Sequence, residues 1–165
     1  MTIEPHIKGL WMKIHPILQG AHRHEIRVYY EDTDAGGVVY HANYLRFAER
    51  ARTEALRDLG VPHAEMVSQH GVMFMVRRIK VDYPGSARLD DSLIVTTRPL
   101  VVGAASAELR QDFARADTPQ RVLASLDIQL ACVRLADQRA VRMPPRWRAA
   151  LQGMMDEPDS ASQGA

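Results

Sequence analysis

An α+β domain, with one long helix packed on a five-stranded antiparallel sheet, is predicted by three observations. Between residues 43 and 59, apolar side chains recur every three or four positions, which is the spacing of one helix face. Four stretches in the second half have strand character and are joined by short turns. The 165 residues, 46% of them hydrophobic, can bury one sizeable core, so we expect a single domain.

The first half of the chain supplies one strand and the helix. Residues 24–30 alternate in polarity and predict a half-buried strand. Asn43 is positioned to cap the helix that follows, and Gly60 and Pro62 supply its stop signals. At about 1.5 Å per residue this helix is roughly 25 Å long, which is enough to cross the whole domain.

The second half supplies the rest of the sheet. Turn residues divide it into four predicted strands, and two consecutive prolines then precede a short terminal helix. Short connections favour antiparallel neighbours, so we expect the strands to follow one another as a meander. The predicted strands are residues 71–83, 91–102, 105–115 and 121–135, and the terminal helix is 146–155.

The domain itself is expected to span residues 21–145. Residues 1–20 are interpreted as an N-terminal extension that packs on the body or on a partner, and residues 146–165 as the short helix and a disordered polar tail. The sequence contains neither a secretory apolar segment nor a run of about 18 apolar residues. This pattern predicts a soluble, cytoplasmic protein without a transmembrane segment.

Composition narrows the range of partners. The formal charge is +1, from 21 basic and 20 acidic residues, which gives no broad field for nucleic acid. The single cysteine, Cys132, lies in an apolar run and is interpreted as a buried thiol in a reducing compartment. His22 and His24 could begin a metal site, but no further ligand follows at a suitable spacing, so we expect none.

The stretch from Tyr29 to Tyr44, YYEDTDAGGVVYHANY, joins the first strand to the helix and is the candidate site. A helix N-terminus leaves about four N–H groups without intrahelical partners, so a carbonyl oxygen could lie there beside Asp34. Gly36 and Gly37 permit a tight turn and close backbone approach; a phosphate loop is the alternative, but its lysine-containing pattern is absent. Asp34 is either a catalytic carboxylate or a turn-former.

The stretch from Arg27 to Leu56, RVYYEDTDAGGVVYHANYLRFAERARTEAL, resembles the 4-hydroxybenzoyl-CoA thioesterase family, and within it the Tol-Pal-associated acyl-CoA thioesterase branch. The resemblance implies a hot-dog fold and hydrolysis of an acyl-CoA thioester to a free acid and CoA. It implies no cofactor, because CoA is part of the substrate. The sheet matches in pattern rather than in signature, and residues 1–20 and those beyond about 145 lie outside the resemblance.

The resemblance also implies roles for single residues. Asp34 matches the catalytic carboxylate, as nucleophile or general base, while Asp32 would support the loop and Glu31 would be structural. The His41 N–H would donate to the thioester oxygen and its imidazole would shuttle a proton or orient Asp34; a helix cap or packed ring is the alternative. Tyr30 matches another implicated residue, with packing as its alternative. The residues expected to bind substrate are Gly36, Gly37, Val39, Tyr40 and Asn43.

Assembly and specificity are expectations of the same kind. The resemblance implies a homodimer with shared active sites, and commonly a tetramer. Basic residues that could meet the CoA phosphates, or form a solvated face, are Arg77, Arg78, Lys80 and Arg88. Residues that could line an acyl pocket, or pack in the core, are Phe47, Met66, Met73, Phe74 and Met75. The alternatives to a thioesterase are a dehydratase and a non-catalytic acyl-binding or scaffold protein of the cell-envelope machinery.

Overall fold

The structure is a computed structural model that describes residues 17–18 and 20–156, and predictions about the remaining residues lie outside it. Within the described residues, six strands and three α-helices form the domain. The strands are β1 (Ile17–Leu18), β2 (Ala21–Arg27), β3 (Val72–Asp82), β4 (Ser92–Val102), β5 (Ser106–Arg115) and β6 (Thr118–Arg134). The helices are α1 (Asn43–Asp58), α2 (His63–His70) and α3 (Pro145–Met155).

The strands form one antiparallel sheet in the order β1-β2-β4-β5-β6-β3. Only β4, β5 and β6 follow one another as a meander, so the prediction that β3 pairs with β4 is wrong. Residues 83–91, between β3 and β4, are longer than a tight hairpin turn, and they carry the chain from one side of the sheet to the other. As a result β3 lies at the edge of the sheet and pairs only with β6.

Helix α1 packs its apolar face against the sheet, as its periodicity predicts. The buried residues recur at helical spacing and include Tyr44, Phe47, Ala51 and Leu56. Tyr44 packs edge-on against Phe113 of β5, with ring centroids 5.3 Å apart. The α+β hot-dog architecture predicted from the sequence is thereby confirmed, with β1 added as a short sixth strand beside β2.

Two local predictions at the start of α1 are wrong. The first strand ends at Arg27 rather than at residue 30, because the Asp32 carboxylate accepts a hydrogen bond from the Tyr29 N–H at 2.8 Å and winds Tyr30–Asp32 into a 3-10 turn. Asn43 does not cap α1. Ala42 occupies the cap position, and the Asn43 side chain donates to the Asp32 carbonyl at 2.9 Å, which ties the turn to the helix.

Helix α2 was not anticipated. Gly60 and Pro62 end α1, but Pro62 also precedes the first turn of a second helix, where its fixed φ is tolerated. Gly71, with φ of 61°, ends that helix and starts β3. Helices α1 and α3 and strands β3 to β6 lie at the predicted places, to within three residues at each end. The domain boundaries at 21 and 145 stay predictions.

Candidate active site

The loop between β2 and α1 folds back on itself as a short hairpin. The Asp34 N–H donates to the Val38 carbonyl at 2.9 Å, and the Gly37 N–H donates to the Asp34 carbonyl at 3.0 Å. Thr33 and Val39 form an antiparallel bridge below this turn. Gly37 has φ of 75°, a conformation that side chains with a Cβ rarely adopt. The sequence Asp-Ala-Gly-Gly therefore forms the tight turn that its glycines predict.

The Asp34 carboxylate is exposed and held by one hydrogen bond. Its Oδ1 accepts from the Gly36 N–H at 2.8 Å, whereas Oδ2 has no partner among the described residues. A Cβ on Gly36 would stand 3.1 Å from Oδ1, so only glycine leaves the carboxylate undisturbed. Asp34 is thus a turn-former through one oxygen and free through the other, and the two interpretations of its role are compatible.

Backbone pairing and one buried side chain hold the hairpin against the body of the domain. Val38 bridges to Arg88, and the Val39 N–H donates to the Ala87 carbonyl at 2.8 Å. The Val39 side chain is 4% exposed and lies in the core. Ala87 is held in turn, because its N–H donates to the buried Tyr44 hydroxyl at 3.1 Å. The buried Val39 side chain therefore holds the loop against the core. Its expected role in substrate binding stays a prediction.

His41 stands two residues before the start of α1. Its carbonyl accepts a hydrogen bond from the Tyr83 hydroxyl at 2.9 Å, and its ring packs against Tyr40 with centroids 4.5 Å apart. The His41 N–H and the Ala42 N–H donate to no acceptor within the described part of the chain. These free N–H groups lie at the positive end of a 16-residue helix, where a partial negative charge is stabilised.

The predicted catalytic side chains share the loop but are not hydrogen-bonded to one another in the described structure. The Tyr40 N–H donates to the Asp32 carbonyl at 2.9 Å, which extends the hairpin ladder toward α1. Asp34 lies at the turn end of this ladder and His41 at the helix end. No hydrogen bond joins their side chains in the described structure. Tyr30 lies in the 3-10 turn and is 83% exposed.

The basic residues predicted for phosphate binding are mostly on β3. A β-bulge between Val76 and Arg78 breaks the strand alternation, so Arg77 and Arg78 are both exposed. Lys80 Nζ lies 3.7 Å from Asp82 Oδ2, and Arg88 forms an antiparallel bridge with Val38 of the hairpin. Arg88 is therefore the member of this set that adjoins the Asp34 loop.

The described residues form two cavities, and the larger one was not anticipated from the sequence. A groove of about 570 Å³ lies between the start of β3, the β4–β5 turn and the N-terminal half of α3. Its basic lining residues are His70, Arg134, Arg142 and Arg148. A run of basic residues between positions 134 and 148 was the available signal, but His70 joins them only through the fold. We call this cavity the basic groove.

The second cavity, of about 240 Å³, lies between α1, α3 and the first half of β3. Met73 and Phe74, two of the predicted acyl-pocket residues, line it. Phe47 and Met66 are buried in the core instead, with 1% and 0% exposure. We call this cavity the apolar cavity.

Other chemistry in the described residues is limited. No cluster of three or more His, Cys, Asp or Glu residues that could hold a metal ion occurs there. Cys132 is buried, as expected, and burial raises the pKa of its thiol, which makes it a poor nucleophile. None of the helices described is long and apolar enough to cross a membrane.

The chain is similar to known proteins in sequence. Residues 28–151 match the model of the Thioesterase-like superfamily. The chain is 41% identical over 126 residues to acyl-CoA thioesterase YbgC of Haemophilus influenzae, which covers 76% of this chain and 90% of that protein. It is also 41% identical over 111 residues to acyl-CoA thioester hydrolase YbgC of Escherichia coli O6:H1, covering 67% and 81% of the two chains.

A solved structure shows the same fold. Slr0204, a 1,4-dihydroxy-2-naphthoyl-CoA thioesterase from Synechocystis, superposes with a TM-score of 0.74 at 21% identity, over 80% of this chain and 96% of that one. The region that matches the superfamily model, residues 28–151, contains the Asp34 hairpin, helix α1 and strands β3 to β6. The chain therefore belongs to the Thioesterase-like superfamily and has its hot-dog fold.

Proposed function

We propose that the protein hydrolyses acyl-CoA thioesters, with Asp34 as the reacting carboxylate and the His41 N–H as a donor to the thioester oxygen. One observation carries this proposal: a carboxylate with a free oxygen and a helix terminus with free N–H groups belong to the same clamped hairpin. The YbgC relatives, which are named acyl-CoA thioesterases or thioester hydrolases, support the same reaction.

Two chemical routes fit these groups. Asp34 Oδ2 can attack the acyl carbon and expel CoA as a thiolate, leaving a mixed anhydride that water then hydrolyses. Alternatively, Asp34 takes a proton from a water molecule that attacks the same carbon. In both routes negative charge develops on the thioester oxygen, where one backbone donor is worth about 3 kcal/mol. The departing CoA thiolate takes up a proton, which the exposed His41 imidazole can supply. Neither route requires a cofactor.

The edge strand β3 supports a homodimer. It presents 11 residues with one edge outside the ladder, and Val76 at its centre is 42% exposed. An unpaired edge of this length is a site for pairing with a second strand. Under twofold symmetry, two β3 edges meet antiparallel, so the start of one lies beside the end of the other. A tetramer of such dimers follows only from the resemblance to the YbgC branch.

In this dimer the basic groove of one subunit would lie close to the Asp34 hairpin of the other. The basic groove lies at Val72, where β3 begins, whereas Tyr83, which holds His41, follows the end of β3. These points are about 35 Å apart along one strand. When two β3 strands pair antiparallel, the start of β3 in one subunit lies beside the end of β3 in the other, so the two sites are close across the interface. None of the groove-lining residues is acidic, so the groove can bind the phosphates of a CoA whose thioester lies in the partner subunit.

Two further features belong to the proposal. CoA thioesters are metabolites of the cytoplasm, so we place the enzyme there. An association with the Tol-Pal envelope machinery rests on the resemblance of residues 27–56 to that branch. A scaffold without activity remains the competing function, and it needs neither the free Asp34 oxygen nor the free N–H groups of residues 41 and 42.

A thiol-release assay tests the proposal. Purified full-length protein is mixed with short-chain, long-chain and aromatic acyl-CoAs, and free CoA thiol is followed with a chromogenic disulfide. We expect turnover of at least one class. Absence of release from every class, in a sample shown to be folded, would identify the protein as a scaffold rather than a hydrolase.

A further inference from the structure

A buried polar atom in the wall of the apolar cavity has no hydrogen-bond partner among the described residues. His63, the first residue of α2, packs its ring against Phe74 with centroids 5.9 Å apart. Its Nε2 is buried and makes no hydrogen bond among the described residues, although His63 lines the cavity. Burial lowers the pKa of His63, Glu49 opposes this shift and Arg52 adds to it. The neutral ring can present Nε2 as donor or acceptor, according to its tautomer.

Other polar side chains around this cavity make hydrogen bonds within the protein. Arg52 donates to Gln111 Oε1 at 2.9 Å, and Gln111 Nε2 donates to Thr97 Oγ1 at 2.9 Å. Thr53 donates to Glu49 at 3.2 Å. A buried polar atom without a partner is uncommon in folded proteins and indicates a missing ligand or water. His63 Nε2 is thus a buried hydrogen-bonding position in the cavity wall that no described group fills.

The size and lining of the cavity favour an acyl chain over water. Its volume of about 240 Å³ far exceeds the roughly 30 Å³ that one water molecule occupies. Most of its walls are apolar, including Met73, Leu109, Leu151 and Met154, and offer water few hydrogen bonds. A flexible chain that carries one oxygen atom satisfies both the apolar walls and His63.

The cavity also lies along the helix that begins at the candidate active site. Its first lining residue on α1 is Glu49, six residues after Asn43, or about 9 Å from the start of the helix. An acyl group whose thioester lies at the helix N-terminus can therefore extend along α1 into it. This step rests on the proposed thioesterase function.

We propose that the apolar cavity receives the acyl chain and that His63 Nε2 hydrogen-bonds a hydroxyl or keto oxygen on that chain. His63 then determines specificity, and oxygenated aliphatic acyl-CoAs are hydrolysed in preference to unsubstituted chains of the same length. A site built to hydrogen-bond a substrate oxygen discriminates strongly against an analogue that lacks it.

The test compares matched substrate pairs in the full-length protein. Hexanoyl- and octanoyl-CoA are assayed beside their 3-hydroxy, 3-keto and terminal-hydroxy counterparts, with wild type, His63→Leu and His63→Gln. For wild type we expect kcat/KM about tenfold higher for the oxygenated member of at least one pair. His63→Leu should abolish that preference by raising KM for the oxygenated chain alone. His63→Gln, which retains a donor and an acceptor, should restore part of it.

Three outcomes separate the possible failures. Equal kcat/KM in every wild-type pair, or a preference that persists in His63→Leu, overturns the assignment of His63 and leaves the thioesterase function intact. If no thioester is hydrolysed, the proposed function fails, and calorimetry with the corresponding non-hydrolysable S-alkyl-CoA thioethers tests the cavity alone. Tighter binding of the oxygenated thioether, lost in His63→Leu, would support the cavity; equal binding would overturn it.

Discussion

Asp34 and Gly36 restrict each other at the level of single residues. The carboxylate reaches back to the Gly36 N–H, and the missing Cβ of Gly36 leaves room for it. Asparagine could accept the same hydrogen bond, so the turn alone does not require an acid. A loss of hydrolysis in Asp34→Asn would therefore reflect chemistry rather than folding.

Gly36→Ala should lower kcat without unfolding the protein. The new Cβ would stand 3.1 Å from Asp34 Oδ1 and displace the carboxylate by a few tenths of an ångström. Small displacements of a reacting group are costly, and we expect kcat to fall about 10- to 100-fold. Gly153→Ala in α3, where a Cβ meets nothing within 4 Å, is the matched control. Steady-state rates equal in the two variants would show that the position of the carboxylate is unimportant.

The sequence predicted the local structure of the Asp34 loop better than the contacts of its residues. The hairpin motif identified Asp34, Gly36 and the start of α1 because turn chemistry and helix periodicity are local properties. Asn43 was misread because its spacing suits a cap, whereas its partner, the Asp32 carbonyl, is in place only once the 3-10 turn forms. Arg142 and His63 were missed because their importance depends on residues far away in the chain.

At the level of elements, strands and helices with strong periodicity lie where the sequence placed them. Helix α1 and strands β3 to β6 are long, and each is bounded by turn residues. Helix α2 has only eight residues and one buried side chain, Met66, so it gives almost no periodic signal. The position of β3 at the sheet edge could not be read from periodicity, which fixes the face of a strand but not its neighbours.

The packing of α2 on β3 should depend on pH through His63. Burial lowers the pKa of His63 below its unfolded value of about 6.5, so the folded state resists protonation. The contribution of neutral His63 to the free energy of unfolding is therefore fully present above about pH 6.5. It is lost as the pH falls from there through the lowered pKa of the folded state. Urea midpoints measured between pH 7.5 and 5 should decline less in His63→Leu than in wild type. Some decline should remain, because burial also lowers the pKa of His24. Parallel curves would contradict this account.

At the level of the whole molecule, the basic groove and the Asp34 hairpin lie at opposite ends of the sheet. This arrangement makes the monomer an incomplete enzyme under the proposed function. The Arg142 guanidinium has no hydrogen-bond or ion-pair partner in the described part of the chain. The Arg148 guanidinium has one partner there, the Gly103 carbonyl, to which its Nε donates at 3.1 Å. Both guanidinium groups are therefore available to an anionic ligand.

Arg142→Gln should weaken the binding of the CoA nucleotide without affecting the binding of the acyl-pantetheine part of the substrate. We expect KM for an acyl-CoA to rise about tenfold, the loss typical of one charged hydrogen bond, with kcat unchanged. KM for the corresponding acyl-pantetheine, which lacks the nucleotide phosphates, should stay the same. Arg139→Gln, on an 83% exposed side chain outside the groove, is the control. A protein that sediments only as a monomer at micromolar concentration, yet hydrolyses acyl-CoA, would contradict the shared site.

The role of Asp34 as the reacting carboxylate is tested by the hydrolysis rate of Asp34→Asn compared with that of Glu31→Gln. The first variant keeps the acceptor for the Gly36 N–H and loses the carboxylate, whereas the second removes an equal charge from an exposed position three residues away. We expect Asp34→Asn to lose about 10²- to 10⁴-fold in kcat while it retains its fold and binds acyl-CoA, and we expect Glu31→Gln to stay near wild type. Wild-type turnover in Asp34→Asn would contradict this role.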